Sequence, residues 1–278
     1  MLFYNNERNQ KLKIDIEQAV NISKKFITNK LLESGLDGYV VGMSGGIDSA
    51  VSAALAVNAV GAEKVYAVLM PYKSSSKDSV DDAMEFVEKF GVKSEKIEIT
   101  PMIDAYYKDT SQINKVRAGN KMARERMSIL FDLSQNMNYL VLGTGNRTEI
   151  ALGYTTWFGD SACSINPIGQ FYKTEIRQIA KILGIPESII NKAPSADLWE
   201  GQTDENEIGI KYEQIDKLLM KIIDENISSM PELISHGFDK TDIDHLISLI
   251  NRYSFKRDLP EISQIGRKNI PKTIEIKE

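Results

Sequence analysis

The most informative segment of the chain runs from residue 38 to residue 49 and reads GYVVGMSGGIDS. Its first five residues form a short apolar run, which predicts a buried strand, and the stretch from Ala50 to Val60 predicts a helix. The glycines between them allow backbone angles that other residues avoid, so the chain can approach a bound group closely. Because open parallel sheets bind ligands beyond the carboxyl ends of their strands, the segment predicts an anion site. Backbone N–H groups and the positive helix end would hold the anion.

Strand and helix signals alternate along the rest of the chain. The apolar periodicity predicts a helix over 12–34 that stops at Gly35, and further strands at 65–69, 97–99, 139–142 and 164–168. After a polar loop at 72–76, a helix is predicted up to Phe90, and further helices are predicted over 113–137 and 173–183. The last third is predicted to be mostly helical, at 208–226, 230–235 and 241–253. Strands separated by helices pair in parallel through right-handed crossovers. We therefore predict one α/β domain over residues 1–278, a doubly wound, mostly parallel five-stranded sheet flanked by helices, with a helical C-terminal part.

Composition excludes several classes of protein. The 278 residues include one cysteine, Cys163, which excludes a disulfide framework and a four-cysteine zinc site. Thirty-four basic and 39 acidic residues give a net charge of −5, which argues against a nucleic-acid partner. No apolar run approaches the ~18 residues of a membrane span, and the N-terminus lacks the regions of a signal peptide. We therefore expect no membrane partner and a cytoplasmic location.

Two acidic residues follow predicted strands. The loop ending in Asp48-Ser49 is not a Walker A loop, because it lacks the Gly-Lys-Ser/Thr ending. A carboxylate beside phosphates repels them unless Mg²⁺ lies between, so Asp48 suggests a magnesium ligand. The segment GTGNRTE, residues 143–149, follows the fourth strand and reaches the same sheet edge. Glu149 is the candidate second carboxylate ligand, and Thr144 could contact a nucleotide.

Two later segments add candidates at the same edge. Lys173 begins a predicted helix, a poor place for a cation given the helix dipole, which favours a role in neutralising phosphate or transition-state charge. Residues 192–205, KAPSADLWEGQTDE, show no periodicity and are long for a connection. We interpret them as a mobile lid whose Trp199 could cover a bound ring; a solvated acidic loop is the alternative.

The first loop also fits the Gly-x-Ser-x-Gly nucleophile elbow of serine hydrolases through Gly42, Ser44 and Gly46. That function needs a histidine base, and the chain offers only His236 and His245, both in helical, surface-like sequence. Ordinary solvated histidines explain them better. A serine hydrolase is therefore the alternative from a different class.

Four motifs together resemble a known family. The first loop resembles the pyrophosphatase loop of the ATP-pyrophosphatase superfamily, which has an adenine nucleotide alpha hydrolase-like fold. The segments 143–149, 166–175 and 192–199 resemble ammonia-dependent NAD synthetases in the same order and spacing, over about residues 10–262. The resemblance implies ATP-dependent amidation of deamido-NAD (nicotinic acid adenine dinucleotide) with ammonia. An NAD-adenylate would form, and AMP and pyrophosphate would be released.

The resemblance also implies roles for individual residues, with Asp48 and Lys173 as the catalytic pair. It implies Mg²⁺ held by Asp48 and Glu149, and a homodimer to which the helix carrying Met122, Arg124, Met127 and Leu130 contributes. The implied ATP contacts are Gly42, Met43, Ser44, Gly45, Gly46, Ile47, Asp48, Ser49, Thr144, Lys173 and Ser195. The implied contacts to deamido-NAD are Arg124, Trp157, Ser164, Phe255 and Lys256.

Three positions depart from the family's commonest pattern. Trp157 stands where many members have a substrate-binding lysine, Ser164 replaces an aspartate, and Phe255 replaces the histidine before Lys256. We interpret Trp157 as a possible stacking partner for a ring. The chain has no room for the nitrilase-like domain of glutamine-dependent relatives, so ammonia is the expected nitrogen donor. A tRNA-modifying enzyme of the same superfamily and a nucleotide-binding relative without turnover are the remaining alternatives.

Overall fold

A parallel sheet lies at the centre of the computed structural model, which describes residues 15–195, 199, 201, 203–263 and 265. Its four strands are β1 (Gly38–Gly42), β2 (Val65–Leu69), β3 (Lys93–Lys96) and β4 (Tyr139–Val141), in the order β3-β2-β1-β4. All neighbours pair in parallel, and Val40 is in register with both Tyr66 and Val141. The first strand is therefore central, and its loop opens at the middle of the sheet edge.

Helices connect the strands and extend the C-terminal part. They are α1 (Ile16–Ser34), α2 (Ile47–Val60), α3 (Lys77–Phe90), α4 (Thr100–Tyr107), α5 (Lys115–Met137), α6 (Arg147–Leu152), α7 (Lys173–Ile182), α8 (Glu187–Ile190), α9 (Asp204–Ile208), α10 (Tyr212–Leu219), α11 (Met230–Ser235) and α12 (Lys240–Arg252). Short 3₁₀ turns occur at Ala62–Lys64 and Ser254–Arg257, and a π turn, Met220–Asp224, continues α10. None of the helices in the described part is long and apolar enough to cross a membrane.

The sheet is covered on both faces, as a doubly wound fold requires. Side chains alternate along a strand, so Tyr39 and Val41 enter the core packed by α1, α2 and α7, whereas Val40 enters the core packed by α4 and α5. A third apolar cluster joins α6 to α10 and α12. The predicted α/β fold class is confirmed.

The prediction of five strands is wrong for the described residues. The segment 164–168 forms one isolated parallel bridge, between Ile165 and Leu142. The N–H of Val141 donates to the hydroxyl of Ser164 at 3.0 Å, so a side chain takes a donor that a strand ladder would use. Three residues after Ser164, Pro167 has no N–H to donate, which also limits pairing.

Other boundaries shift for local reasons. The third strand lies at 93–96 rather than 97–99, although the N–H of Ile97 still bonds to the carbonyl of Leu69 at 2.8 Å. The first helix begins at Ile16, because the Asp15 carboxylate caps it; Leu12, predicted within it, lies outside the described residues. The predicted helix over 208–226 is divided, because Gly209 adopts a φ of 83° at the end of α9.

Candidate functional site

A cavity of about 780 Å³ opens where β1, β2 and β4 end. Its walls include Gly42, Leu69 and Leu142, which terminate or directly follow those strands. Most of the residues predicted to bind ATP line it: Gly42, Met43, Ser44, Gly46, Ile47, Asp48, Ser49, Thr144, Lys173 and Ser195. Residues more than 100 positions apart thus face one space at the sheet edge.

Hydroxyl groups stabilise the loop between β1 and α2. The N–H of Gly46 donates to the hydroxyl of Ser44 at 3.2 Å, and that hydroxyl lies 3.1 Å from the hydroxyl of Ser49. The Ser49 hydroxyl also donates to the carbonyl of Gly46 at 2.9 Å. Gly45 has a φ of 77°, and a Cβ there would lie 2.1 Å from the carbonyl oxygen of Ser79. Only glycine fits at residue 45, as the loop prediction requires.

The serine hydrolase alternative gains no support from this geometry. The Ser44 hydroxyl is engaged by Ser49 and Gly46, and among the described residues no hydrogen bond joins Ser44 to a histidine. His245 lines the cavity, but its Nε2 lies 2.9 Å from the carbonyl of Ile208. His236 is exposed. A Ser–His pair is therefore not assembled within the described part of the chain.

Lys173 lies between the two predicted metal ligands. Its ammonium pairs with the carboxylate of Asp48, and its Nζ lies 3.5 Å from Oε1 of Glu149. The Lys173 side chain is 3% exposed, against 18% for each carboxylate. An ammonium so deeply buried requires nearby negative charge, and these two residues supply it.

Asn146 holds both carboxylates in place from the start of α6. Its Nδ2 donates to Oδ1 of Asp48 at 2.9 Å, and its Oδ1 accepts from the N–H of Glu149 at 3.0 Å. The Glu149 carboxylate in turn accepts from the N–H of Asn146 at 3.1 Å, which completes a capping box. The sequence interpretation did not select Asn146, although Asn at a helix start followed by Glu three residues later is a capping-box signature.

Burial and charge shift the proton affinities at this centre. Burial, assisted by the negative charge of Asp48 and opposed by Lys173, raises the pKa of Glu149 to about 8. Burial by itself would lower the pKa of Lys173, but the charges of Asp48 and Glu149 outweigh it and raise that pKa. The ammonium is therefore permanently charged, whereas Glu149 gains or loses its proton near neutral pH.

A third carboxylate closes the same region from α9. Asp204 is 4% exposed and accepts hydrogen bonds from the hydroxyls of Tyr154, at 3.3 Å, and Tyr212, at 3.2 Å. Burial raises the pKa of Asp204, with the charge of Lys173 opposing the shift. The aromatic ring of Tyr212 lies 5.2 Å from the ammonium of Lys173. The sequence interpretation missed Asp204, which is an unremarkable member of an acidic run until the fold buries it.

The residues predicted to contact deamido-NAD form an aromatic patch next to the cavity. The ring of Trp157 stacks on that of Phe158, with centroids 4.3 Å apart, and meets that of Phe255 edge-on at 5.3 Å. Arg124 donates from Nε to the carbonyl of Trp157 at 3.2 Å. Lys256 lines the cavity and donates to the carbonyls of Gly153 and Thr155 at 2.8 and 2.6 Å. Four of the five predicted contacts thus lie together.

One predicted contact to deamido-NAD lies elsewhere. Ser164 is exposed, with its hydroxyl engaged by Val141, and it does not line the cavity. Met122, Met127 and Leu130 of α5 are buried against the sheet, and Met127 and Leu130 also line the cavity. The contribution of the helix that carries them to a homodimer stays a prediction.

The lid prediction lies partly outside the described residues. Ser195 and Trp199 line the cavity, and the N–H of Asp204 closes the base of the segment on the carbonyl of Pro194 at 3.0 Å. Residues 196–198, 200 and 202 lie outside the described part of the chain. The placement of Trp199 beside the cavity is consistent with a cover over a bound ring.

The donor set at the centre fits a magnesium ion that also binds phosphate. Asp48 and Glu149 offer carboxylate oxygens, the ligands that Mg²⁺ prefers. The described residues hold no group of three or more His, Cys, Asp or Glu that would form an all-protein metal cage. Two carboxylates with phosphate oxygens and water completing the shell are typical of magnesium at nucleotide sites.

The chain is similar in sequence and in fold to known proteins. The family model described as NAD synthase matches residues 19–260. A relative from Fusobacterium nucleatum subsp. nucleatum, named NH(3)-dependent NAD(+) synthetase, is 47% identical over 257 residues, 92% of this chain and 99% of that protein. The structure of NMN synthetase from Francisella tularensis has a TM-score of 0.81 at 31% identity, covering 91% of this chain and all of that one. The NH3-dependent NAD synthetase from Campylobacter jejuni, in complex with nitrate, has a TM-score of 0.77 at 35% identity, covering 90% and 100%.

Proposed function

The chain belongs to the NAD synthase family, and on that premise we propose that it is a ligase that forms a carbon–nitrogen bond. It would convert deamido-NAD, ATP and ammonia to NAD, AMP and pyrophosphate. The observation that carries the proposal is the buried ammonium of Lys173 set between Asp48 and Glu149 at the glycine-rich loop. That arrangement supplies positive charge, metal ligands and backbone donors at one point, as transfer of an adenylyl group requires.

The first step is attack of the nicotinate carboxylate on the α-phosphorus of ATP. An oxygen–phosphorus bond forms to give NAD-adenylate, and the bond to the β-phosphate oxygen breaks, with its electron pair leaving on pyrophosphate. Lys173 and the N–H groups of the loop from Gly42 to Ser49 would bind the phosphates and stabilise that charge. Mg²⁺, held by Asp48 and Glu149 when it is bound with ATP, would neutralise further charge on the phosphate oxygens.

The second step is attack of ammonia on the activated carbonyl carbon. The new carbon–nitrogen bond displaces AMP, and the surplus proton of ammonia passes to solvent. The protein contributes mainly by positioning the reactants and by stabilising charge. The size of such an effect is large, because removal of one preorganised donor typically lowers the rate by roughly 10²–10³. The net charge of −5 means that attraction for two anionic substrates must be local, and Lys173, Arg124 and the loop amides provide it.

The aromatic patch would hold the substrate's nicotinate end. Trp157 replaces a lysine and Phe255 a histidine common in the family, and both present ring surface beside Arg124 and Lys256. Burial lowers the pKa of Lys256, and the nearby charge of Arg124 lowers it further, against the opposing charge of Asp160. Stacking on an aromatic ring would replace the ion pair lost with the lysine.

We also propose that the protein is a homodimer, formed through α4 and α5. Four apolar side chains on or next to these helices are exposed although their neighbours are buried: Tyr106 (62%), Val116 (60%), Phe131 (42%) and Ile113 (42%). Exposed apolar side chains on two helices that pack against each other make this face the candidate partner surface. Val116 also lines the cavity, so a partner here would complete the cleft.

The function is tested by product analysis with matched substrates. We expect ATP, Mg²⁺, ammonium and deamido-NAD to yield NAD, AMP and pyrophosphate in equal amounts, and glutamine to be a poor substitute for ammonium. A parallel reaction with nicotinate mononucleotide, whose amidation gives NMN, addresses the product named for the Francisella structure. Faster turnover of the mononucleotide would reassign the substrate, and nucleotide binding without pyrophosphate release would make the chain a non-catalytic relative.

A further inference from the structure

The helix that carries Lys173 is capped only in part by its own residues, because the Glu175 carboxylate accepts from the N–H of Tyr172 at 2.9 Å. Lys173 is the first residue of α7, and the residue before it, Tyr172, makes no side-chain capping bond to the first turn. Free N–H groups at a helix start need acceptors, which a Ser, Thr, Asn or Asp at the preceding position ordinarily supplies. The acceptors for the N–H groups of Lys173 and Thr174 come from two other helices.

Those acceptors are a threonine of α6 and an aspartate of α10. The N–H of Lys173 donates to the hydroxyl of Thr148 at 3.1 Å, and the N–H of Thr174 donates to Oδ2 of Asp216 at 2.8 Å. The hydroxyl of Thr148 donates onward to Oδ1 of Asp216 at 2.6 Å. Thr148 is fully buried and Asp216 is 1% exposed, so these bonds are shielded from water.

This network joins the two helix starts that carry the catalytic groups. Thr148 directly precedes Glu149, and Asp216 contacts the first turn of α7, which begins with Lys173. The distance of 3.5 Å between the Lys173 ammonium and the Glu149 carboxylate therefore depends on how α6 and α7 are docked. A buried carboxylate is costly unless both oxygens are bonded, and here both are.

We infer that Asp216, acting through Thr148 and the N–H of Thr174, is the positioning residue that sets the Lys173 ammonium against Glu149 and Asp48. This inference rests on the proposed function of that centre. A side chain leaving the first residue of a helix moves with the helix end, and a misplacement of about 1 Å at a reacting centre can cost roughly 10²-fold in rate. Asp216 itself touches no substrate.

Thr148 allows a matched test, because valine has its shape without the hydroxyl and serine keeps the hydroxyl. We expect Thr148→Val and Asp216→Asn each to lower kcat at least tenfold and to raise the Mg²⁺ concentration needed for half-maximal rate. Thr148→Ser should remain within threefold of the parent protein. The double variant Thr148→Val/Asp216→Asn should lose little more than either single variant, because the two groups act as one unit.

Tyr39→Phe is the control for a general loss of buried hydrogen bonding. The Tyr39 hydroxyl donates to the carbonyl of Ile27 at 2.6 Å; both residues are fully buried, and neither lines the cavity. This variant should lose thermal stability but keep the parent kcat and Mg²⁺ dependence. Calorimetry of the binding of a non-hydrolysable ATP analogue with Mg²⁺ gives a second readout. We expect this binding affinity to fall in Thr148→Val and not in Tyr39→Phe.

The outcomes separate this inference from the proposed function. If the parent protein forms no NAD, the proposed function fails, and the ATP-analogue affinities still decide the positioning role. If the parent protein is active but Thr148→Val and Asp216→Asn match Tyr39→Phe, the inference is overturned. It is equally overturned if kcat falls as far in Thr148→Ser as in Thr148→Val. It is also overturned if neither Thr148→Val nor Asp216→Asn yields folded protein, since the role would then be structural only.

Discussion

The ammonium of Lys173 pairs with the carboxylate of Asp48 across 125 positions of the chain. Asp48 is the second residue of α2, the helix after β1, and Lys173 is the first residue of α7, so two helix starts meet at the sheet edge. A 3% exposed ammonium without a partner would be strongly unfavourable. The pair therefore keeps the ammonium charged and in place at the sheet edge.

Replacing Asp48 tests the role of this pair. Asp48→Asn removes a proposed metal ligand and the carboxylate that pairs with the Lys173 ammonium, while Glu149 still lies 3.5 Å from that ammonium. We expect the fold to be kept and NAD formation to fall by about 10² or more at saturating Mg²⁺. Circular dichroism and a coupled NAD assay make the two measurements.

Asp81→Asn is the matched control, because it removes a carboxylate from an exposed pair with Lys77 at 2.8 Å. Its rate should equal that of the parent protein. Parent-like NAD formation by Asp48→Asn would remove Asp48 from the catalytic pair.

Glu149 should make stability depend on pH in a defined direction. Its pKa is about 4.5 in an unfolded chain and about 8 in the folded one, so between these values the folded state holds a proton that the unfolded state has lost. The stabilisation is complete below pH 4.5 and declines as pH rises towards 8, with a slope of at most about 1.4 kcal/mol per pH unit. Glu149→Gln removes the titrating group, so its free energy of unfolding should fall less over this range.

Urea unfolding of both proteins at intervals between pH 5 and pH 8.5 measures this difference, without Mg²⁺ and ATP. Added Mg²⁺ with ATP should flatten the pH dependence of the parent protein, since a bound cation favours the ionised carboxylate. Parallel pH profiles for the two proteins would contradict the assignment.

Gly45 tests the loop independently of charge. An alanine Cβ there would meet the Ser79 carbonyl at 2.1 Å, in addition to the strain of a φ of 77°. Gly91→Ala is the control, because it has a φ of 65° and nothing within 4 Å of the new Cβ. The strain common to both is about 1–2 kcal/mol.

We expect Gly45→Ala to weaken ATP binding at least tenfold and to lower the melting temperature more than Gly91→Ala does. Isothermal titration with the ATP analogue and thermal unfolding measure the two effects. Equal ATP affinity in both variants would mean that the loop does not contact the nucleotide.

The dimer proposal predicts a sharp difference between two exposed apolar residues. Phe131→Glu places a charge on α5, within the surface assigned to the partner, and should shift the protein towards monomer in sedimentation velocity. Leu32→Glu alters a side chain that is 75% exposed on α1 and should leave the assembly unchanged. A parent protein that sediments as a monomer at micromolar concentration would refute the proposal.

The strand-following loops made the central residues predictable. In a parallel sheet every strand ends on the same side, so Asp48 and Glu149 had to approach one another once β1 and β4 were recognised as strands. Lys173 was predicted from its unfavourable position at a helix start, and the fold explains that position through the negative charge facing it. Each signal was local, and the sheet geometry connected them.

The wrong and the missed predictions have their origin in contacts between residues that are distant in the chain. The fifth strand was lost because the Ser164 hydroxyl competes for a backbone donor. Asp204 was missed although the segment 192–205 was selected, and Asp216 was missed because nothing near it in the chain marks it. Their importance comes from burial and from bonds to tyrosines or to Thr148, up to 68 positions away.

Short-range chemistry along the chain was enough to place the strands, the glycine loop and the charged groups at one sheet edge, because backbone periodicity and glycine tolerance depend on neighbouring residues. Folding in three dimensions was needed to bury Lys173 between two carboxylates, to raise the pKa of Glu149 and to bring Asp216 against the start of α7. Solvent exclusion and the meeting of distant charges are properties of packing, and no linear pattern records them.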